Sequence, residues 1–256
     1  MDPRSELARV LASPRPSLFD AAWCVAQIAG RAPDRGDVDA ELDLTAARVQ
    51  RADLDGIVAA LRDGGFAGPR SRYEDPRNSM IDLVVTRKVG IPISLAIVAI
   101  EVGLRVGVEL QAVGMPGHFL VGSAAQPDRF GDPFHGRVID RDECAAIVRR
   151  LAGGARSLHA WDLDPTSPGA VVARMLNNLI AGPWGRDLKR LGDLCDLQMV
   201  VPDLASAERF ALAGRLELLG RFDDAAAQLD EVAAHVAGSA RRRLDARVIS
   251  HRARYN

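Results

Sequence analysis

The sequence predicts an α+β fold in its first part, with helices packed on a small antiparallel sheet, and an all-α region in its second part. Three observations support this. Apolar residues recur at helical spacing over residues 17–62. After Gly107, short segments rich in Val and Leu alternate with turn residues, which is typical of antiparallel strands. From Ser167 onward the helical spacing returns. Because helices precede the strands as a group, we predict α+β, and we divide the chain into residues 1–165 and 166–256.

Composition excludes several classes of function. Of the 256 residues, 48% are hydrophobic and 26% are charged, an ordinary balance for a globular protein. The formal net charge of -1 gives no electrostatic reason to expect a nucleic-acid partner. No run approaches the roughly 20 apolar residues that span a bilayer, and the first residues contain no apolar core of a signal peptide. We therefore expect a cytoplasmic protein without a membrane partner.

The three cysteines predict neither a disulfide framework nor a zinc site. Cys24, Cys144 and Cys195 are an odd number, are widely spaced and form no CxxC pair. Cys24 falls within the first long helical pattern, where a small thiol is typically a core residue. The chain also contains no HExxH, Walker loop or GxGxxG motif, so we predict no metal ion and no cofactor.

The helices of the first part have recognisable starts and ends. Ser17 is placed to cap the first of them, with Asp20 as the acidic partner of a capping box, and Gly64-Gly65 ends the last. Asn78 or Ser79 is placed to cap a short helix that runs to Arg87.

The next helix, from Pro92 to Val106, is apolar nearly all round, so it should be buried. Proline suits its first turn because the missing N–H would have no helical partner there. Gly107 is placed to end it.

Four short strands follow. A hairpin joins the first two through Pro116-Gly117, and Asp140 caps a helix that runs to Arg150. The predicted strands are Glu109–Met115, His118–Ser123, Arg129–Asp132 and Gly136–Ile139. The helices predicted for the second part are Val171–Ile180, Asp187–Val200, Ala205–Leu219, Phe222–Val236 and Ser239–Ile249.

His118 and Asp132 are the candidate catalytic pair. They lie on neighbouring predicted strands, so their side chains could reach one another, and an aspartate would then fix the tautomer of the imidazole. The alternative is structural: His118 is a half-buried histidine bonded to a main-chain carbonyl, and Asp132 forms a turn before Pro133. His135 is interpreted as a turn residue.

A polar cluster of Asp75, Arg77 and Asn78 precedes the apolar helix. One interpretation is that these residues tie the loop together. The other is that they form the rim of a binding cleft, in which Arg77 holds a carboxylate in a forked geometry.

Four ordered motifs carry a family resemblance. They are DPRNS (75–79), GIPISL (90–95), PGHFLV (116–121) and DPF (132–134). In this order and at these spacings they resemble the SirB-type branch of the transglutaminase-like superfamily, over about Ser17 to Val236. Members join a transglutaminase-like core to tetratricopeptide-like helices at the C-terminus.

The resemblance implies a papain-like core, in which a buried helix carries the nucleophile at its N-terminus and the sheet carries the His and the Asp. His118 and Asp132 match those two residues. Active relatives begin the helix with Gly-x-Cys. Aligning Gly90, Ala96 and Gly107 without a gap places Pro92 at the cysteine position. Ser94 lies two residues further on, about 200° round the helix, and so on the wrong face.

In the second part, residues 219–225 resemble the turn of a tetratricopeptide repeat, and a period of about 34 residues places an earlier repeat over Val172 to about Ala205. Pro183-Trp184-Gly185 departs from the repeat pattern. Repeats of this kind imply a protein or peptide partner, and two of them are too few to stand alone, so they should dock on the first part. The alternative is an ordinary helical extension.

Three functions follow as hypotheses. The leading one is a catalytically silent transglutaminase-like protein that works by binding a protein or peptide. The second is a hydrolase or acyl-transferase that uses Ser94, His118 and Asp132. The third is a structural adaptor built on the C-terminal helices, whose core has no function of its own.

Overall fold

The sheet is an antiparallel meander of four strands in the order β1-β2-β3-β4. The structure is a computed structural model and describes residues 2–30 and 34–234, together with 241, 244 and 247–249. The strands are β1 Gln111–Val113, β2 Leu120–Gly122, β3 Arg129–Asp132 and β4 Arg137–Asp140. All four predicted strands exist, and the α+β class is confirmed. The first two are shorter than predicted, so His118 lies just before β2 and not within it.

The described residues also form eleven α-helices. They are α1 Pro3–Leu11, α2 Leu18–Gln27, α3 Arg35–Ala46, α4 Leu54–Asp63, α5 Ile81–Arg87, α6 Pro92–Arg105, α7 Arg141–Leu151, α8 Pro168–Ala181, α9 Leu188–Gln198, α10 Ser206–Leu218 and α11 Phe222–Ala233. No helix among the described residues is long and apolar enough to cross a membrane.

Helix α6 is the centre of the fold, as its apolar sequence predicts. Pro92 occupies its first turn after Ile91 as N-cap, and every residue from Pro92 to Ile100 is buried. Gly107 follows its end with a φ of 74°, a left-handed conformation that glycine adopts without strain. Helices α2 to α5 and strands β1 and β2 all pack on α6.

The sheet has an apolar cluster on each face. On one face Ala112, Phe119 and Val121 join the main core, which contains α6. On the other face Val113, Leu120, Phe130 and Ile139 pack with Cys144, Ile147 and Val148 of α7. Burial on both faces fixes the register, because a slip by one residue would exchange the two sets of side chains.

The C-terminal helices share the main core with the first part. The same cluster runs from Leu7 of α1 to Leu229 of α11, and α8 packs on α2 and α6. This agrees with the expectation that the short helical region docks on the first part. Four of its five predicted helices are present as α8 to α11. The predicted helix over 239–249 lies largely outside the described residues.

Two turns explain the course of these helices. Pro183–Arg186 forms a 3-10 turn between α8 and α9, where the sequence departs from the repeat pattern. Gly220, with a φ of 73°, turns the chain tightly from α10 to α11. The pair α10–α11 is thus a helical hairpin, in which Ala225 is fully buried.

Three helix starts differ from expectation. Helix α1 was not predicted, although Asp2 caps it and Pro3 occupies its first turn. The capping box of α2 is only half formed. Ser17 Oγ accepts the N–H of Asp20, but the Asp20 carboxylate pairs with Arg35 at 3.0 Å.

The prediction that Asn78 or Ser79 caps α5 is wrong, because Met80 is the N-cap and offers no capping side chain. The amide of Asn78 donates instead to the carbonyls of Arg72, at 3.1 Å, and Tyr73, at 3.3 Å.

Candidate functional site

His118 and Asp132 meet where β2 and β3 lie side by side. Val121 pairs with Gly131 across these strands. One pair further along, Leu120 lies opposite Asp132, and His118 is two residues before Leu120. The Nε2 atom of His118 lies 3.0 Å from Oδ2 of Asp132. Asp132 is 0% exposed and His118 only 6%. The structure thus brings the predicted pair together in the protein interior.

The approach of His118 is short but poorly aligned. Its Nε2 atom is within hydrogen-bonding distance of the carboxylate, yet it is buried and makes no hydrogen bond of acceptable direction. Hydrogen bonds weaken steeply when the donor does not point at the acceptor. The contact is therefore a close electrostatic approach.

His135 is a third member of the site that the sequence analysis missed. It lies in the turn between β3 and β4, as predicted, but its Nδ1 atom is 2.7 Å from the same Oδ2 atom of Asp132. Its main-chain N–H also donates to Asp132 Oδ1 at 3.3 Å. Asp132 therefore closes a turn, as the structural interpretation predicts, and it also faces two imidazoles. The signal in the sequence was the Asp-x-x-His spacing within a turn.

Asp132 is ionised in this setting. Burial alone would raise the pKa of Asp132, but the proximity and charge of His118, joined by those of His135, bring it below its ordinary value. Among the described residues, no lysine or arginine forms an ion pair with this carboxylate. The two histidines are its charge partners.

An aromatic rim surrounds the histidines. The ring of Phe134 meets His118 edge-on at 6.0 Å between centroids, and it lies 4.9 Å from His135 and 6.4 Å from Tyr73. Tyr73 is 53% exposed. Gly68 lies so close to Phe134 that a Cβ atom there would come within 2.4 Å of the ring. These contacts hold Phe134 over the pair and leave Tyr73 and His135 facing solvent.

Arg174 of α8 holds the loop that carries His118. Its Nη2 atom donates to the carbonyls of His118, at 2.8 Å, and Met115, at 3.0 Å. Its guanidinium also lies over the ring of Phe119 at 5.2 Å. Burial lowers the pKa of Arg174. A residue of the second part thus positions the imidazole of the first, and no local motif around Arg174 indicates this.

Pro92 and Ser94 occupy the start of α6 in the way the alignment suggests. Pro92 is buried in the first turn and has no group that could attack a substrate. Ser94 is 0% exposed, and its hydroxyl makes hydrogen bonds to the main-chain carbonyls of Asn78, at 2.8 Å, and Ile91, at 3.0 Å. The structure therefore directs Ser94 Oγ to the main chain before the helix and does not join it to His118.

Replacing Ser94 with alanine is expected to lower the free energy of unfolding by about 1 kcal/mol, since a buried hydrogen-bonded hydroxyl is lost. Urea denaturation would measure this. Ser123→Ala is the matched control, because Ser123 Oγ only accepts a weak local hydrogen bond at 3.3 Å, and its stability should stay within about 0.5 kcal/mol of wild type. An unchanged stability of the Ser94 variant would contradict the structural role of this hydroxyl.

The polar cluster ties its own loop. Arg77 binds the carboxylate of Asp75 in a forked geometry. Its Nε atom lies 3.0 Å from both carboxylate oxygens, and its Nη2 atom lies 2.6 Å from Oδ2. This guanidinium lowers the pKa of Asp75. The carbonyl of Asn78 accepts hydrogen bonds from Ile91 N at 3.1 Å and from Ser94 Oγ. The loop-tying interpretation has direct support, because Arg77 already holds a carboxylate of the same chain.

The three cysteines are unsuited to nucleophilic chemistry. All are buried, and burial raises the pKa of Cys24 and Cys195 to about 11 and that of Cys144 to about 12. Since the thiolate is the reactive form, these thiols are inert at neutral pH. The interpretation of Cys24 as a core residue agrees with this.

The buried helix α6 is followed in the chain by a sheet that carries a His–Asp pair. This arrangement is that of a transglutaminase-like core. The chain belongs to the transglutaminase-like superfamily, whose family model matches residues 27–177. That match extends from the end of α2 into α8, so it includes every residue of the site, Arg174 among them.

Related proteins from bacteria carry the name UPF0162. The chain is 33% identical to one from Pseudomonas aeruginosa over 190 residues, which cover 70% of this chain and 69% of that protein. It is 40% identical to one from Xylella fastidiosa over 121 residues, or 45% of this chain and 43% of that protein. A Vibrio cholerae relative is 28% identical over 141 residues, or 54% of this chain and 52% of that protein.

Proposed function

We propose that this protein is a catalytically silent member of the superfamily that binds a protein or peptide. One observation carries the proposal. The gapless alignment with active relatives assigns Pro92, in the first turn of α6, to their nucleophile position, while His118 and Asp132 remain 3.0 Å apart. A site that keeps its base and orienting acid without a nucleophile has lost covalent chemistry.

The surroundings of Ser94 weigh against a serine enzyme. A nucleophilic hydroxyl must reach its base, directly or through one water. The Ser94 hydroxyl is buried and bonded to two main-chain carbonyls. Freeing it would break the contact that ties the start of α6 to the preceding loop.

The exposed aromatic rim is the recognition surface in this proposal. Tyr73 and His135 face solvent above the buried pair, with Phe134 between them. Aromatic side chains supply much contact area at small entropic cost, so they are frequent at binding hot spots.

The hairpin α10–α11 offers a second surface, on which Phe210 and Leu218 are exposed. Its turn resembles that of a tetratricopeptide repeat, and the SirB-type likeness belongs to the same proposal. Both features favour a protein that recognises another polypeptide, and a cytoplasmic location is part of the same proposal.

Tyr73→Ala is expected to weaken peptide binding about tenfold, the effect of losing one aromatic hot-spot residue. The peptides would be selected from a displayed random library on purified wild-type protein, and affinity measured by fluorescence anisotropy. Leu188→Ala is the control, since Leu188 is 61% exposed but lies at the start of α9. It should leave the affinity unchanged.

The same peptides decide between the three functions. Mass spectrometry should show them unmodified after incubation with wild-type protein. Cleavage or cross-linking that disappears in His118→Ala would overturn the proposal in favour of an enzyme. Peptides that bind only through α10–α11, with no effect of Tyr73→Ala, would favour the structural adaptor.

A further inference from the structure

We propose that His118, Asp132 and His135 form a binding site for a divalent transition-metal ion, Zn²⁺ in the first instance. The proposal is separate from peptide recognition, because it concerns metal binding by three side chains, of which only His135 also belongs to the rim. Each proposal can therefore fail while the other holds.

The geometry of three side-chain atoms carries the inference. His118 Nε2, Asp132 Oδ2 and His135 Nδ1 all lie within 4.8 Å of one another. The two nitrogens approach the same oxygen, at 3.0 and 2.7 Å. Zinc binds imidazole nitrogen and carboxylate oxygen at about 2.0–2.2 Å, usually in tetrahedral geometry, so two ligand atoms on one ion are about 3.4 Å apart. The nitrogen-to-oxygen spacings are somewhat shorter than this, and small side-chain rotations would open the cluster around one ion.

The buried imidazole supplies a second, independent observation. His118 Nε2 is inaccessible to solvent and has no aligned hydrogen bond, although it lies only 3.0 Å from the Asp132 carboxylate. Buried polar atoms nearly always have a partner, and an exception calls for an explanation. An ion between the three side chains would give Nε2 a partner and would also balance the charge of Asp132, which has no lysine or arginine beside it among the described residues.

The donor set indicates the class of metal. Two imidazoles and one carboxylate suit Zn²⁺, Fe²⁺ or Co²⁺, whereas Mg²⁺ and Ca²⁺ prefer oxygen ligands. Three protein ligands leave at least one position open on the ion. His135 is 44% exposed at its side chain and lies on a turn, so an ion could enter from this side. The main-chain N–H of His135 donates to Asp132 Oδ1, the oxygen that would not bind the ion, and so would orient the carboxylate.

Sequence motifs could not reveal this site. Its ligands are separated by 14 and 3 positions, and only the pairing of β2 with β3 brings His118 to the other two. The prediction of no metal site rested on short motifs, and this cluster contains none of them.

The test uses the full-length chain, freed of any affinity tag and stripped with EDTA. Titration calorimetry with Zn²⁺ should show one equivalent bound per chain. His135→Ala should weaken Zn²⁺ binding by at least about 10-fold, because even the loss of a residue that only supports a metal ligand weakens binding by about this much. His159→Ala is the matched control, because His159 is exposed, stacks on Trp161 and does not belong to the cluster. This variant should bind Zn²⁺ as wild type does.

Two further measurements keep the proposal testable if His135→Ala misfolds. Zn²⁺ should raise the melting temperature of wild-type protein, because a ligand that binds only the folded state stabilises it. Co²⁺ should give visible absorption bands typical of nitrogen ligands. Absence of saturable Zn²⁺ binding, absence of these bands, or equal weakening by His159→Ala would overturn the assignment.

Discussion

Replacing Asp132 with alanine is expected to lower the free energy of unfolding by about 3 kcal/mol, the scale for removing one partner of a buried charged pair. Asp132 is fully buried and faces His118 and His135 through one oxygen. It also accepts the N–H that closes the turn before β4. The variant loses all of these contacts and leaves His118 buried without its partner.

Urea denaturation in the presence of EDTA would measure this change without any contribution from a bound metal. Asp128→Ala is the control. Asp128 pairs with Arg141 at 2.7 Å, but its side chain is 76% exposed, and exposed pairs contribute little. Its stability should stay within about 1 kcal/mol of wild type. If the two variants lose equal stability, Asp132 is not the anchor of the site.

The parts of the fold that follow from local chemistry were predictable. Helix α6 combines an apolar sequence, a proline in its first turn and a glycine after its end, and these signals agree with one another. The hairpin at Pro116-Gly117 is also confirmed, with Gly117 at a φ of 75°. In both cases the information lies within a few residues.

The start of α5 shows where local chemistry is overruled. Asn78 has a good capping side chain, yet its amide bonds to the carbonyls of Arg72 and Tyr73. Asn78 is 1% exposed, and its Oδ1 atom, which would have to accept the helix N–H groups, accepts from the Arg87 guanidinium at 3.4 Å instead. Capping propensity does not include this competition.

Only the two site residues on or next to the sheet, His118 and Asp132, were predictable. His118 and Asp132 follow from the adjacency of two strands joined by a short connection. His135 was assigned to a turn correctly, but the direction of its side chain depends on a carboxylate whose burial the sequence does not show. Arg174 is 56 positions from His118, and only the docking of α8 brings the two together. Contacts between parts of the chain require the packed core.

Replacing Pro92 with cysteine is expected to create a thiol that reacts with iodoacetamide at least about 100-fold faster than the native thiols at neutral pH. A helix N-terminus, joined by a histidine of the proposed site, lowers a thiol pKa to about 3.5–7.5. The native cysteines should react very slowly, since burial raises their pKa values to about 11 or 12. Mass spectrometry of tryptic peptides would assign the rate to each cysteine.

Ser94→Cys is the matched control for this variant. It lies two residues further along the same helix, but its side chain faces the carbonyls of Asn78 and Ile91. Carbonyl oxygens disfavour a thiolate, so this thiol should react slowly. Adding His118→Ala to Pro92→Cys should slow the reaction, since the imidazole would no longer stabilise the anion. Equal rates for the two cysteine variants would contradict the placement of Pro92 at the nucleophile position, and with it the proposal that this site is catalytically silent.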